Sequence, residues 1–131
     1  MLTSLSITNF ALIDALEVNF NNGFSIITGE TGAGKSILLG GLSLVLGKRA
    51  DLSQIKDKSK KCVIEAIFDI ANYDLKSIFI KDNLDYDPQT IIRREILPSG
   101  KSRAFVNDTP VNLDSLNHLS NHLLDIHSQH Q

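Results

Sequence analysis

Alternation of apolar and polar positions predicts β-strands in both halves of the chain. The segments that alternate are Leu2–Thr8, Leu16–Phe20, Val63–Ile70, Thr90–Leu97 and Arg103–Val106. A period of two places the apolar side chains on one face of a sheet. Turn sequences at 21–23 and 98–101 predict two hairpins, the first of which joins Leu16–Phe20 to a short strand at Phe24–Thr28.

Helical spacing of apolar residues predicts three helices. Lys35–Leu46 has the length and spacing of an amphipathic helix, and Gly47 follows it as a C-terminal stop. Tyr73–Lys81 has the composition of a short helix. Near the end of the chain, Asn112 or Asp114 can cap a helix. Its apolar positions are Leu113, Leu116, Leu119 and Leu123.

Polar segments separate these elements. Residues 48–61 form a charged loop, and Thr109-Pro110 predicts a break before the last helix. The order is mostly antiparallel β structure with one strand–loop–helix unit inserted early. The sequence therefore predicts a mixed α/β fold of a single domain, which suits a chain of 131 residues.

The segment Gly29–Ser36 satisfies the phosphate-loop pattern G-x-x-x-x-G-K-[ST] between a predicted strand and a predicted helix. Glycines let successive backbone N–H groups face one anion, and the helix directs its positive end there. Lys35 would reach the β- and γ-phosphates of ATP, and Ser36 would bind the Mg²⁺ ion that bridges them. The candidate nucleotide-binding residues are Gly29, Glu30, Thr31, Gly32, Ala33, Gly34, Lys35, Ser36 and Ile37.

Composition and net charge limit the kinds of partner that the protein can bind and the cellular compartment in which it functions. The net charge of −2 argues against a generally basic nucleic-acid binder, and a single cysteine excludes a disulfide scaffold. The most apolar stretch, Ile37–Leu46, is about half the length of a membrane span, and the first residues lack a secretory signal pattern. We therefore expect a cytoplasmic protein with no membrane partner.

Two antiparallel strands before the phosphate loop and a hairpin after it resemble the N-terminal lobe of an ABC-type ATPase head, in which an antiparallel sheet flanks the phosphate-loop strand and helix. Specific stretches then resemble the RecN family of bacterial DNA-repair ATPases, in the SMC-like branch of ABC ATPases. They are Leu5–Asp14, Gly23-Phe24, Thr28–Leu38, Leu46–Asp51, Glu65–Asp69, Ser102–Asn107 and Leu124–His130. The resemblance covers essentially the whole chain.

The resemblance implies that residues 1–131 are the N-terminal half of an ATPase head whose coiled coil and second lobe are missing. It also implies a role in double-strand break repair and recombination, with DNA contacts and a homodimer of heads in the parent protein, associated with the nucleoid. Gln129 would be the Q-loop glutamine, which completes the Mg²⁺ shell and positions the attacking water. Family members often carry an arginine near Lys56, and lysine lacks its two-pronged hydrogen bonding.

The 131 residues contain neither a convincing Walker B strand nor a signature loop: Asp69 and Asp125 both follow apolar runs that are too short. The parent would hydrolyse ATP, and this chain alone would not. The alternative is a standalone phosphate-loop switch or small-molecule kinase, which would carry its acidic Mg²⁺ ligand within its own domain. A non-catalytic interaction module would show no nucleotide affinity.

Other polar clusters are weaker candidates. His118 and His122 have a metal-binding spacing but lie opposite an apolar stripe, which favours a solvated face. The basic run 56–61 could contact DNA or be a solvated loop, and Arg49 could face the nucleotide or an opposing head. Arg93-Arg94 sits mid-strand with one side chain on each face, which indicates an exposed edge strand.

Overall fold

The alternating segments form one antiparallel sheet. A computed structural model describes residues 1–20 and 32–128, and side chains at 1–20 and 34–123. The strands are β1 (Leu2–Phe10), β2 (Ile13–Asn19), β3 (Cys62–Asp69), β4 (Gln89–Ile96), β5 (Ser102–Val106) and β6 (Thr109–Val111). Their order across the sheet is β2-β1-β3-β4-β5-β6, so β1, β3 and β4 are central among the described strands.

Helices cover one face of this sheet. They are α1 (Gly32–Val45), α2 (Lys76–Lys81) and α3 (Leu113–Ser128), with a single 3₁₀ turn at Leu52–Gln54. α1 lies against β1, β3 and β4, and α3 contacts β5. The core between them is built from alternate strand residues such as Ile7, Ile64 and Ile92, all fully buried. The opposite face carries charged residues.

Both helix ends predicted from the sequence are confirmed. Gly47 adopts a φ of +108°, and the N–H of Lys48 donates to the carbonyl of Ser43 at 3.1 Å, which closes α1 with a Schellman motif. Asn112 caps α3, since its Oδ1 accepts from the N–H of Ser115 at 2.8 Å. The second predicted helix is shorter than expected and begins at Lys76.

Two expectations about the later strands are wrong. Thr109-Pro110 does not break the chain: it belongs to β6, where Pro110 pairs with Phe105. Proline is tolerated there because β6 has no further described strand beside it to receive an N–H. β4 is not an edge strand, because it lies between β3 and β5. The predicted turn at 21–23 and the strand Phe24–Thr28 lie outside the described residues.

In the part of the chain that the structure describes, no helix is long and apolar enough to cross a bilayer.

Candidate nucleotide site at the beginning of α1

The described part of the phosphate loop is the first turns of α1. The helix begins at Gly32; Gly34 is half-buried, while Lys35 and Ser36 are exposed. The N-terminal end of an α-helix carries partial positive charge and N–H groups that the helix itself leaves unbonded. No acidic residue in the first turn of α1 neutralises that charge. The beginning of α1 is therefore suited to an anion.

Two glycines let α1 approach β1 closely. A Cβ atom on Gly41 would lie 2.8 Å from Ile7 Cδ1, and one on Gly40 would lie 3.3 Å from Phe10 Cζ. Real Cβ atoms essentially never approach other atoms to less than 3.0 Å. A side chain at position 41 would therefore require the Ile7 side chain or the helix to shift.

A pocket of about 360 Å³ opens beside the first turns of α1. It is lined by residues from the β1–β2 turn, from α1 and from the 3₁₀ turn: Phe10, Ala11, Ser36, Ile37, Gly40, Ser53 and Gln54. Its volume is that of a small-molecule site. Ser36 and Ile37, both predicted from the phosphate-loop pattern, therefore border one cavity.

Hydrogen bonds from Asn9 and Ala11 hold the end of β1 against the segment 54–61, which begins beside this pocket. Asn9 Oδ1 accepts from the N–H of Asp57 at 2.8 Å, and Asn9 Nδ2 donates to the carbonyls of Asp57, Lys60 and Lys61 at 2.9, 3.2 and 3.3 Å. The N–H of Ala11 donates to the carbonyl of Gln54 at 2.6 Å. Asn9 and Ala11 both have positive φ, 59° and 52°. Left-handed backbone in a residue other than glycine is costly, so these hydrogen bonds hold the turn in place.

The remaining predicted site residues fall into two groups. Gly29, Glu30, Thr31 and the Q-loop candidate Gln129 lie outside the described residues. Gly32 and Ala33 form the first turn of α1, with side chains that are not described. Of the predicted site residues that the structure describes, Ser36 and Ile37 border the pocket.

Lysines of the 56–61 run are partly paired. Lys56 Nζ lies 2.5 Å from Asp14 Oδ1, which is exposed at the beginning of β2. Lys60 Nζ lies 4.0 Å from Asp57 Oδ2, and Lys61 Nζ lies 3.6 Å from Glu95 Oε2. Arg49 and Lys58 are exposed. Contact of this run with DNA stays a prediction.

The His118 and His122 rings contact each other edge to face, with centroids 5.3 Å apart. Within the described ranges, no group of three His, Cys, Asp or Glu side chains could hold a metal ion.

Arg94 is the residue that the sequence interpretation missed. Instead of lying on an exposed edge strand, its side chain is buried in the core face of β4, with 1% of its surface exposed. Nη1 donates to the carbonyls of Leu44 and Lys48 at 2.7 and 2.9 Å, and Nη2 donates to Ser102 Oγ at 3.3 Å. Leu44 belongs to the last turn of α1, so Arg94 joins the central sheet to the end of the helix that carries the phosphate loop.

Burial alters the ionisation of the neighbouring groups. It lowers the pKa of Arg94, and it raises the pKa of the Cys62 thiol to about 11 although the Arg94 charge opposes that rise. Burial would also raise the pKa of Glu95, but the hydrogen bond from Arg103 and the charges of Lys61, Arg103 and Arg93 outweigh it and lower that pKa. Arg103 Nη2 lies 2.7 Å from Glu95 Oε1.

Sequence comparisons identify relatives of the chain. The model of the AAA domain family matches residues 4–130. A DNA repair protein RecN of Vibrio cholerae is 42% identical over 131 residues, covering 99% of this chain and 24% of the relative. The RecN protein of Bacillus subtilis is 39% identical, covering 99% of this chain and 23% of its own length. The resemblance to RecN is confirmed, and the chain spans about a quarter of the length of these relatives.

Solved structures confirm the fold. A chain from work on ATP-driven dimerization and DNA-stimulated activation of SMC ATPases superimposes with a TM-score of 0.70 at 19% identity, covering 89% of this chain and 75% of that one. An Smc head bound to the C-terminal winged-helix domain of ScpA gives 0.66 at 17% identity, covering 89% and 38%. The fold is the N-terminal lobe of an SMC-type phosphate-loop ATPase head, which disfavours the standalone switch or kinase.

Proposed function

Because the chain belongs to the AAA domain family, we propose that it binds the phosphates of ATP at the beginning of α1. The observation that carries this proposal is the phosphate-loop sequence, which runs into the first turns of α1 with Lys35 and Ser36 exposed beside a pocket of about 360 Å³. A helix end that lacks acidic residues and carries a lysine is a site for a polyanion.

Each described residue of the site then has a role. The backbone N–H groups of residues 32–36 face the β- and γ-phosphates, and the Lys35 ammonium group neutralises part of their charge. The Ser36 hydroxyl supplies an oxygen ligand of the type that Mg²⁺ prefers. A Mg²⁺ ion held by Ser36 would withdraw charge from the phosphates.

The pocket beside Ser36 suits the rest of the nucleotide. Ala11 and Ile37 offer apolar surface for a base, and the backbone and side chains of Ser53 and Gln54 offer polar groups for a ribose. Since the N–H of Ala11 donates to the carbonyl of Gln54, two residues that line the pocket are joined before any ligand arrives. A preformed pocket reduces the entropy lost on binding.

For the whole protein, we propose an ATPase that acts in DNA double-strand break repair and recombination. In it, residues 1–131 would be the N-terminal half of a head, which contacts DNA through other regions and forms a homodimer of heads. The support is the name of the RecN relatives and the SMC-head fold. Gln129 would act as the Q-loop glutamine, and hydrolysis would need groups beyond residue 131. We place this protein in the cytoplasm, associated with the nucleoid.

Calorimetric titration with ATP and Mg²⁺ tests the binding site. Lys35→Ala should weaken binding at least tenfold, because a charge-assisted contact contributes roughly 1.5–3 kcal/mol. Lys81→Ala is the matched control: it removes an exposed lysine at the end of α2, a helix that supplies no residue to the lining of the pocket. Equal ATP affinity in the Lys35→Ala and Lys81→Ala variants would contradict the assignment.

A further inference from the structure

A buried guanidinium group holds the end of α1 that lies opposite the phosphate site. Arg94 is among the largest fully buried side chains of the described residues. Its Nη1 bridges the carbonyl of Leu44, in the last turn of α1, and the carbonyl of Lys48, just beyond the helix. These oxygens lie on either side of the Schellman turn at Gly47. One rigid planar group therefore fixes both the end of the helix and the direction in which the chain leaves it.

This arrangement is costly for stability alone. No carboxylate lies within 4.0 Å of the Arg94 guanidinium among the described residues, and its Nε has no hydrogen-bond partner there. The charge is balanced by carbonyl dipoles and by the negative end of the α1 dipole. Apolar residues of similar volume often replace buried charges with no loss of stability. What an apolar residue cannot do is donate directional hydrogen bonds to the carbonyls at the helix end, as Arg94 does.

The contacts described for α1 at Gly40 and Gly41 are apolar, against Phe10 and Ile7. They set the distance between helix and sheet and lack the direction of a hydrogen bond. Ser36 precedes Leu44 by eight residues, which is about 12 Å at the rise of an α-helix. A rigid helix of this length transmits a shift at one end to the other.

We propose that Arg94 is a positioning residue, which sets the placement of the phosphate-binding end of α1 against the nucleotide pocket by holding its far end to β4. The proposal rests on the proposed function, since it concerns the same site. Displacements of about 1 Å at a binding constellation can cost about a hundredfold in activity. Loss of the Arg94 contacts should therefore weaken nucleotide binding without contact between Arg94 and the nucleotide.

The test compares variants in the full-length protein that contains this chain. Arg94→Met removes the three hydrogen bonds and keeps much of the volume. Arg94→Lys keeps the charge but loses the two-pronged geometry. Phe79→Leu is the control, because Phe79 is a fully buried residue of α2 whose ring packs on Tyr86, so its loss destabilises the core while the Arg94 hydrogen bonds remain. For each variant, urea unfolding gives the stability and calorimetry gives the dissociation constant for ATP with Mg²⁺.

We expect Arg94→Met to raise the dissociation constant for ATP about tenfold over the wild-type value, and Arg94→Lys to raise it less. Phe79→Leu should keep the dissociation constant within twofold of wild type although it loses as much stability as Arg94→Met, or more. Wild-type affinity in Arg94→Met, or weakening that follows stability in all three variants, would overturn the proposal. If Arg94→Met does not fold, the same test compares the ATP affinity and the stability of Arg94→Lys with those of Phe79→Leu.

A second measurement separates this proposal from the proposed function. If the wild-type protein binds no ATP, the proposed function fails, and hydrogen exchange then decides the role of Arg94. Amides of residues 36–40, which are bonded within α1, should exchange at least tenfold faster in Arg94→Met than in Phe79→Leu. Equal exchange in the two variants would overturn the positioning role.

Discussion

Replacing Gly41 with alanine should reveal how closely α1 packs on the sheet. In an exposed helix this change stabilises by about 1 kcal/mol, because alanine has the better helix propensity. Here the new Cβ would lie 2.8 Å from Ile7 Cδ1 and 3.3 Å from Ile7 Cγ1, and Ile7 is fully buried. Overpacking of this kind costs roughly 1–3 kcal/mol. The net effect of Gly41→Ala should be a loss of about 0–2 kcal/mol.

Gly40→Ala provides the matched comparison. Its Cβ would lie 3.3 Å from Phe10 Cζ, a tight contact without a clash, so the propensity gain should largely survive. Urea unfolding should therefore find Gly41→Ala at least about 1 kcal/mol less stable than Gly40→Ala.

A double-mutant cycle with Ile7→Val identifies the atom responsible. Valine lacks the Cδ1 atom, so Gly41→Ala should cost about 1 kcal/mol less in the Val background than in the Ile background. Stabilisation by Gly41→Ala in the wild-type background would refute the close packing. A coupling energy below about 0.3 kcal/mol would show that Ile7 Cδ1 is not the obstructing atom.

Two further predictions concern ionisable groups. The lowered pKa of Glu95 means that its ion pairs stabilise the fold above about pH 4.5 and lose that effect as pH falls through the folded-state value. Glu95→Gln should thus cost about 1–2 kcal/mol in urea unfolding at pH 7 and much less at pH 3, and equal costs at both pH values would contradict the ion pairing. With its pKa raised from 9.0 to about 11, the Cys62 thiol carries roughly 100-fold less thiolate at pH 8 than it would without that rise, and it is fully buried. Iodoacetamide should therefore alkylate Cys62 roughly 100-fold more slowly in buffer than in urea, and comparable rates would contradict its burial.

Local patterns were sufficient to predict the helix that carries the site. The spacing of apolar residues located α1, and Gly47 located its end, because a left-handed residue after a helix is a local requirement that glycine meets. Ser36 and Ile37, which the phosphate-loop pattern includes, border one pocket in the structure, and their contact with nucleotide stays a prediction. Each of these predictions depends on residues close together in the chain.

Arg94 could not be predicted in the same way. Its role depends on β4 lying between β3 and β5, and strand order is set by contacts between residues far apart in the sequence. Arg93 and Arg94 lie on opposite faces of β4. Alternation predicts this, but it does not say which of the two faces is covered, and so which arginine is buried. The left-handed backbone of Asn9 was also missed, although asparagine is one of the few residues that adopts it readily.

Proline at position 110 misled the interpretation for a related reason. A proline excludes a central strand but not an edge strand, and which strand lies at the edge is again a property of the whole sheet. A proline thus limits a strand to the edge of a sheet, but only the assembled sheet shows which strand lies there.

The most direct test of the central claim is a titration with ATP and Mg²⁺ followed by the backbone amide NMR signals of α1. Binding of phosphates at the beginning of the helix should shift the amides of Gly34, Lys35 and Ser36 saturably, while those of His118 and His122 in α3 stay unchanged. Lys35→Ala should abolish the shifts at the same ATP concentrations. Saturable shifts confined to other parts of the chain, or no shifts in a folded wild-type protein, would contradict the account.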